Sequence, residues 1–206
     1  MTAAPPDNAR GRFAAAIAAI DALNAGDPTS EIAGGKPVPA ALLYGQRMSG
    51  WLLRLAPQAS EPLRLAARAQ HIARWRIPRS DYPEGRGGYL NWRQDLGQFH
   101  AETAGEILAE AGYGPEAIGR VADLLQKKGL KRDTDVQMLE DAACLVFLEH
   151  HFAAFARKHD DGKVVDIVRK TLRKMSDKGR EQAMAIAAGL PSGCRALVER
   201  AVAPPD

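Results

Sequence analysis

The stretch Met138-Leu139-Glu140-Asp141-Ala142-Ala143-Cys144-Leu145-Val146-Phe147-Leu148-Glu149-His150-His151-Phe152-Ala153-Ala154-Phe155 decides the fold class. Met138, Asp141, Leu145, Leu148, Phe152 and Phe155 recur at alternating steps of three and four, the step of one helix face. The spacing predicts a long helix, capped by Asp133 or Thr134 and reaching about Lys158. The same period extends to either side. Asn8 can cap a first helix over about Gly11 to Ala25, with Phe13, Ile17, Ile20 and Leu23 on one face. A turn-rich segment, Gly26 to Pro39, leads to a second helix over about Ala40 to Ala56. Ser60 caps a third, with Pro62 in its first turn, which is expected to end near Trp75. The prolines and glycines of Arg76 to Gly88 exclude regular structure there. A fourth helix covers about Tyr89 to Ala111, and Pro115 opens a fifth that ends by Gly129. Two or three shorter helices follow, broken at Gly162, near Ser176 and at Gly189-Leu190-Pro191. No segment alternates as a strand does, so the chain reads as all-α.

At 206 residues, 46% apolar and 26% charged, the chain suits one globular domain over residues 1–206. A net charge of +3 is too small for a polycation, so nucleic-acid binding would need a local basic patch. No apolar run is long enough to cross a bilayer, which argues against a membrane partner. Pro5, Pro6 and Asp7 interrupt any leader-like pattern. Cys144 and Cys194 stand alone, as buried thiols do in a reducing, cytoplasmic setting.

Histidine is scarce, five in the chain. His71 lies in Ala67-Arg68-Ala69-Gln70-His71-Ile72-Ala73-Arg74-Trp75 and His100 in Phe99-His100-Ala101-Glu102, both in strongly helical segments. A polar ring in such a setting is hydrogen-bonded, metal-bound or catalytic, because burial without a partner is costly. Leu96, His100, Ile107 and Ala111 share a face, and Asp141 sits on the apolar stripe, so both point toward the expected core. Two imidazoles and a carboxylate from three helices can hold one divalent metal. The same residues can equally form a buried hydrogen-bond network that orients helices. His150 and His151 do not make a pair, since adjacent helical residues diverge by about 100°.

Between His71 and His100 lie Arg74, Arg76, Arg79, Arg86 and Arg93, interleaved with Trp75, Tyr82, Tyr89 and Trp92. Arginine forks suit phosphate or carboxylate, and aromatic faces suit bases or sugars. The other reading is a solvated loop whose arginines stack on tryptophans. Lys127 and Lys128, with Lys131 and Arg132, form a second basic run of the kind found at helix ends. Lys174-Met175-Ser176 resembles part of a class I aminoacyl-tRNA synthetase loop, but those enzymes need a parallel sheet that this pattern lacks.

The runs Gln70-His71-Ile72, Gly88-Tyr89-Leu90, Phe99-His100-Ala101 and Leu139-Glu140-Asp141 resemble the family called domain of unknown function 4202, over nearly the whole chain. Residues 40 to 155 also resemble, in order and spacing, the HD phosphohydrolase superfamily, with His71 and His100-Ala101-Glu102 at two of its motifs. Tyr44 stands at its first histidine, Ile72 at the aspartate of His-Asp and Ala143 at its late aspartate. Gln126-Lys127-Lys128 stands where some members have paired histidines.

The resemblance implies a single HD-like domain of about eight to ten helices, with its core over about 40–158 and an appendage over about 159–203. It implies one divalent metal (Mn, Fe, Ni or Zn) on His71, His100 and Asp141, with Glu140 or Glu102 relaying protons and Tyr44 as a phenol donor. Arg74, Arg79 and Arg93 would clamp the phosphate of a nucleotide or another phosphorylated small molecule during hydrolysis. The alternative is a catalytically degenerate module that binds a phosphorylated ligand or RNA, recognised through the arginines, Trp75, Trp92, Lys127 and Lys128. The stripes that build a core can also build a homodimer.

Overall fold

In the computed structural model, which describes residues 7–203, the helical period of the sequence becomes ten α-helices among the described residues. They are α1 (Asp7–Asn24), α2 (Ala40–Leu55), α3 (Glu61–Ala69), α4 (Gly85–Glu110), α5 (Pro115–Leu125), α6 (Thr134–Val146), α7 (Phe152–Ala156), α8 (Asp161–Lys174), α9 (Asp177–Gly189) and α10 (Ser192–Val202). The fold is all-α, and Asn8 lies inside α1 rather than ahead of it. Pro5 and Pro6 fall outside the described residues.

A short hairpin departs from the helical reading: β1 (Ser30–Ala33) pairs antiparallel with β2 (Lys36–Pro39), Ile32 opposite Pro37. Gly34 and Gly35 both take positive φ, +57° and +76°, which a two-residue hairpin turn requires. Four-residue strands, one with two prolines, are too short and too proline-rich to show as alternation. Asp27 braces the entry to α2 by accepting from Thr29 N and Ala41 N, both at 2.9 Å.

The chain forms two compact units. Unit 1 holds the residues up to 50 together with 58–128. In it α5 packs on both α3 and α4, and α1 contacts α3 and α4. Small residues set the α4–α5 spacing: a Cβ on Gly97 would lie 3.8 Å from Gln126 Cα, and one on Gly105 3.3 Å from Ile118. These two contacts run in opposite senses along the helices, so the end of α5 returns to the middle of α4. Gly45 does the same for α2, since a Cβ there would fall 2.7 Å from the Arg68 carbonyl oxygen. Arg68 closes this corner with a fork onto Asp21, at 2.6 and 2.5 Å.

Unit 2 holds 51–57 and the residues from 129 onward. The long helix expected to reach Lys158 is interrupted. α6 ends at Val146, a π-turn spans Phe147–His151, and α7 completes the run. Asp141, Leu145, Leu148 and Phe152 are nonetheless all buried, so the stripe does build a core. The last turn of α2 joins this unit through Trp51 Nε1, which donates to Glu149 at 2.7 Å, and Leu55 O, which accepts from Lys178 at 2.6 Å. Lys174-Met175-Ser176 is a helix junction. Ser176 Oγ caps α9 by accepting from Gly179 N at 3.1 Å and donates to Asp141 at 2.5 Å.

Candidate functional site

The third helix ends at Ala69, not near Trp75, and that early end makes the site. Asn24, fully buried at the end of α1, accepts the Ala73 N–H at 3.0 Å and holds Ala73 left-handed at φ +47°. The chain therefore turns over 70–73, and a single 3₁₀ turn over Arg74–Arg76 follows. His71 sits on this turn rather than within a helix, half-buried, with Tyr44 of α2 stacked on its ring at 3.7 Å and 13°. His100, on α4, comes within 6.1 Å of it between ring centroids.

Cations face this pair. Arg74 donates from Nη1 to His71 Nε2 at 3.1 Å, and its guanidinium lies over Trp92, 4.8 Å from the ring centroid. A guanidinium can only donate, so Nε2 of His71 accepts and the neutral ring carries its proton on Nδ1. Burial first, then Arg74, His100, Arg93 and Lys127, hold His71 well below the usual histidine range. Burial, followed by Arg74 and Arg93, pushes His100 down to about 3. Burial and then Arg93 also lower Arg74. Lys127 reaches the site because α5 closes with Lys127 at φ +55°, its N–H on Leu124 O and that of Lys128 on Asp123 O. This is the cap that usually carries glycine.

His71, Arg74, Arg93, His100 and Lys127 line one cavity of about 460 Å³ within unit 1, together with Gln70, Gln98 and Gln126. The carboxylate on its wall, Asp95, accepts from the Tyr82 hydroxyl at 2.8 Å. Gln126 donates to Gln98 at 3.0 Å. Two polar groups stand out by having no protein partner: His100 Nε2 and Gln70 Oε1, on side chains only 3% and 5% exposed. Gln70 was legible as a polar residue between Ala69 and His71, but its neighbours give no period that assigns it a role.

Of the expected metal ligands His71 and His100, and of the expected ligand-binding residues Arg74, Arg93, Lys127 and Lys128, share the cavity wall. Arg79 instead ties its own loop, donating to the carbonyls of Tyr82 and Pro83 at 2.8 and 2.9 Å. Arg76 and Arg86 are exposed. Trp92 donates to Ile77 O at 3.0 Å, and Trp75 is half-buried close to Gly26. Glu102 is exposed on α4 and accepts from Gln98 at 2.5 Å. Asp141 and Glu140 belong to unit 2. There Asp141 accepts from Ser176 N at 2.9 Å, Ser176 Oγ and Gln137 at 3.0 Å. Glu140 lies 3.7 Å from Lys174.

The cavity does not fit a divalent metal. The lone pair of His71 Nε2 is committed to Arg74, Arg93 and Lys127 lower the affinity for any cation, and the oxygens of Asp141 are taken. Among the described residues no group of three or more His, Cys, Asp or Glu side chains is placed to hold a metal ion. Nor is any helix of the described residues long and apolar enough to cross a membrane. No curated protein and no solved structure matches the chain. The family model described as domain of unknown function (DUF4202) matches residues 14–198, and the chain belongs to that family.

Proposed function

We propose that the chain is a degenerate HD-like module whose unit 1 cavity binds a phosphorylated small molecule without a metal. The observation that carries this reading is the convergence of Arg74, Arg93 and Lys127 on two neutral imidazoles. Guanidinium forks pair with phosphate oxygens in two parallel bonds, and each charge-assisted bond contributes about 1.5–3 kcal/mol. Arg74 is preorganised for that task by Trp92 beneath it and His71 beside it, so little side-chain freedom is lost on binding. Hydrolysis would need an activated water, and burial with the facing cations lowers the basicity of both imidazoles that could serve as its base. Recognition therefore suits the cavity better than turnover does.

Titration calorimetry with inorganic phosphate, in the presence of a chelator, tests the reading. Saturable binding is expected, weakened about ten-fold or more in Arg74→Ala and Arg93→Ala. Phosphate binding that requires added manganese or zinc would overturn it. So would the absence of binding, or tightly bound metal lost in His71→Ala and His100→Ala.

A further inference from the structure

The unit 1 cavity is larger, and carries more cations, than one phosphate ion needs. Its volume of about 460 Å³ falls within the range of whole small-molecule sites, roughly 300–1,000 Å³. Against one carboxylate, Asp95, the described residues of the wall set Arg74, Arg93, Lys127 and Lys128. Asp95 accepts from the Tyr82 hydroxyl at 2.8 Å, and Lys128 is paired with Asp123 at 2.7 Å. The charge that faces a ligand therefore comes mainly from the two arginines and Lys127.

These three cations stand at two places. Burial and then Arg93 lower Arg74, which puts the two guanidiniums side by side, facing both imidazoles. Lys127 arrives from the end of α5. A Cβ on Gly97 of α4 would lie 3.8 Å from Gln126 Cα, so the residue before Lys127 is seated at Gly97. Gly97 is one turn of α4, about 6 Å, beyond Arg93. The backbone is strained to bring the cation there: Lys127 has φ +55° at a cap position that usually carries glycine. A single phosphate fills one of these two places and leaves the other open.

We propose that the cavity takes a diphosphate group, two phosphoryl units joined through one oxygen, with one end on the forks of Arg74 and Arg93 and the other on Lys127. This rests on the phosphoryl-binding reading above, and it names the ligand class of that same site. The arginines supply the affinity common to all phosphates, and Lys127 is the residue that selects two linked phosphoryl groups over one. Phosphates at the two ends of a sugar stand too far apart for places one helical turn from each other.

The experiment titrates the full chain, with a chelator present, with inorganic phosphate, diphosphate, fructose 1,6-bisphosphate and the ribodinucleotide pUpU. Diphosphate is expected to bind about 30-fold tighter than inorganic phosphate, and about ten-fold tighter than either of the other two. Lys127→Gly relieves the left-handed strain and so keeps the fold, and in it diphosphate loses about ten-fold more affinity than inorganic phosphate does. Arg74→Ala weakens both ions, and their ratio stays within about two-fold of that in the unaltered chain. The proposal is overturned if diphosphate binds within about three-fold of inorganic phosphate, or if Lys127→Gly keeps the preference. It is overturned equally if fructose 1,6-bisphosphate or pUpU binds as tightly as diphosphate, which would assign the cavity to separated phosphates on a sugar or along RNA. Failure of inorganic phosphate itself to bind defeats the phosphoryl-binding reading instead, and this one with it.

Discussion

His100 stays neutral in the fold, its imidazole pushed down to about 3 by burial and then by Arg74 and Arg93. The unfolded ring titrates near ~6.5, so between these values the unfolded chain binds the extra proton. Stability therefore rises with pH through that window and is lost as pH falls below about 6.5. Urea unfolding between about pH 6 and 4 should show a slope steeper than that of His100→Leu by up to about 1.4 kcal/mol per pH unit. Equal slopes would mean that the ring is protonated in the folded state. Lys127 makes a second case at this scale. A non-glycine residue in the left-handed region costs about 1 kcal/mol or more, and here it brings a cation to the cavity. Lys127→Gly should raise stability by about 1 kcal/mol, a thermal shift of about 2–4 °C, while weakening phosphate binding several-fold. A variant that gains stability and keeps its full affinity would remove Lys127 from the site.

At the scale of the element, the site depends on how closely helices approach. Gly45→Ala would force α2 off the Arg68 carbonyl and break the Tyr44–His71 stack. A loss of about 1–3 kcal/mol is expected by chemical unfolding, with weaker phosphate binding. In unit 2, Ser176→Ala removes the α9 cap and a donor to Asp141 together. That should lower stability by about 1–2 kcal/mol and leave phosphate affinity unchanged. Much of the element order was legible. Ser60, Pro115 and Asp133 stand where they cap or open helices, because caps and first turns depend on a few adjacent residues. The end of α3 was not legible. Ala73 has no intrinsic preference for a left-handed turn, and Asn24, far away in sequence, imposes it. The π-turn at Phe147–His151 was hidden for a related reason: its period differs from that of a helix by one residue over a single turn.

For the molecule as a whole, the expected metal ligands fall in both compact units, His71 and His100 in one and Asp141 in the other. If the phosphate site is built from unit 1 alone, chelators leave its affinity unchanged. Asp141→Asn should alter that affinity by less than about two-fold, by titration calorimetry, while lowering the thermal midpoint. Loss of binding in Asp141→Asn would return the carboxylate to the site. The sequence by itself determined the all-helical class, the helix starts at Ser60, Pro115 and Asp133, the buried stripe through Asp141 and Phe152, and the gathering of arginines around two histidines. All of these follow from period and composition over a few turns. Only the tertiary structure decided that Asp141 is held by Ser176 and Gln137, that arginines and a lysine face the imidazoles, and that Gln70 joins them. Those outcomes depend on where Asn24 turns the chain and how closely glycines let helices approach. Neither is a property of local sequence, because each sums contacts between residues far apart along the chain.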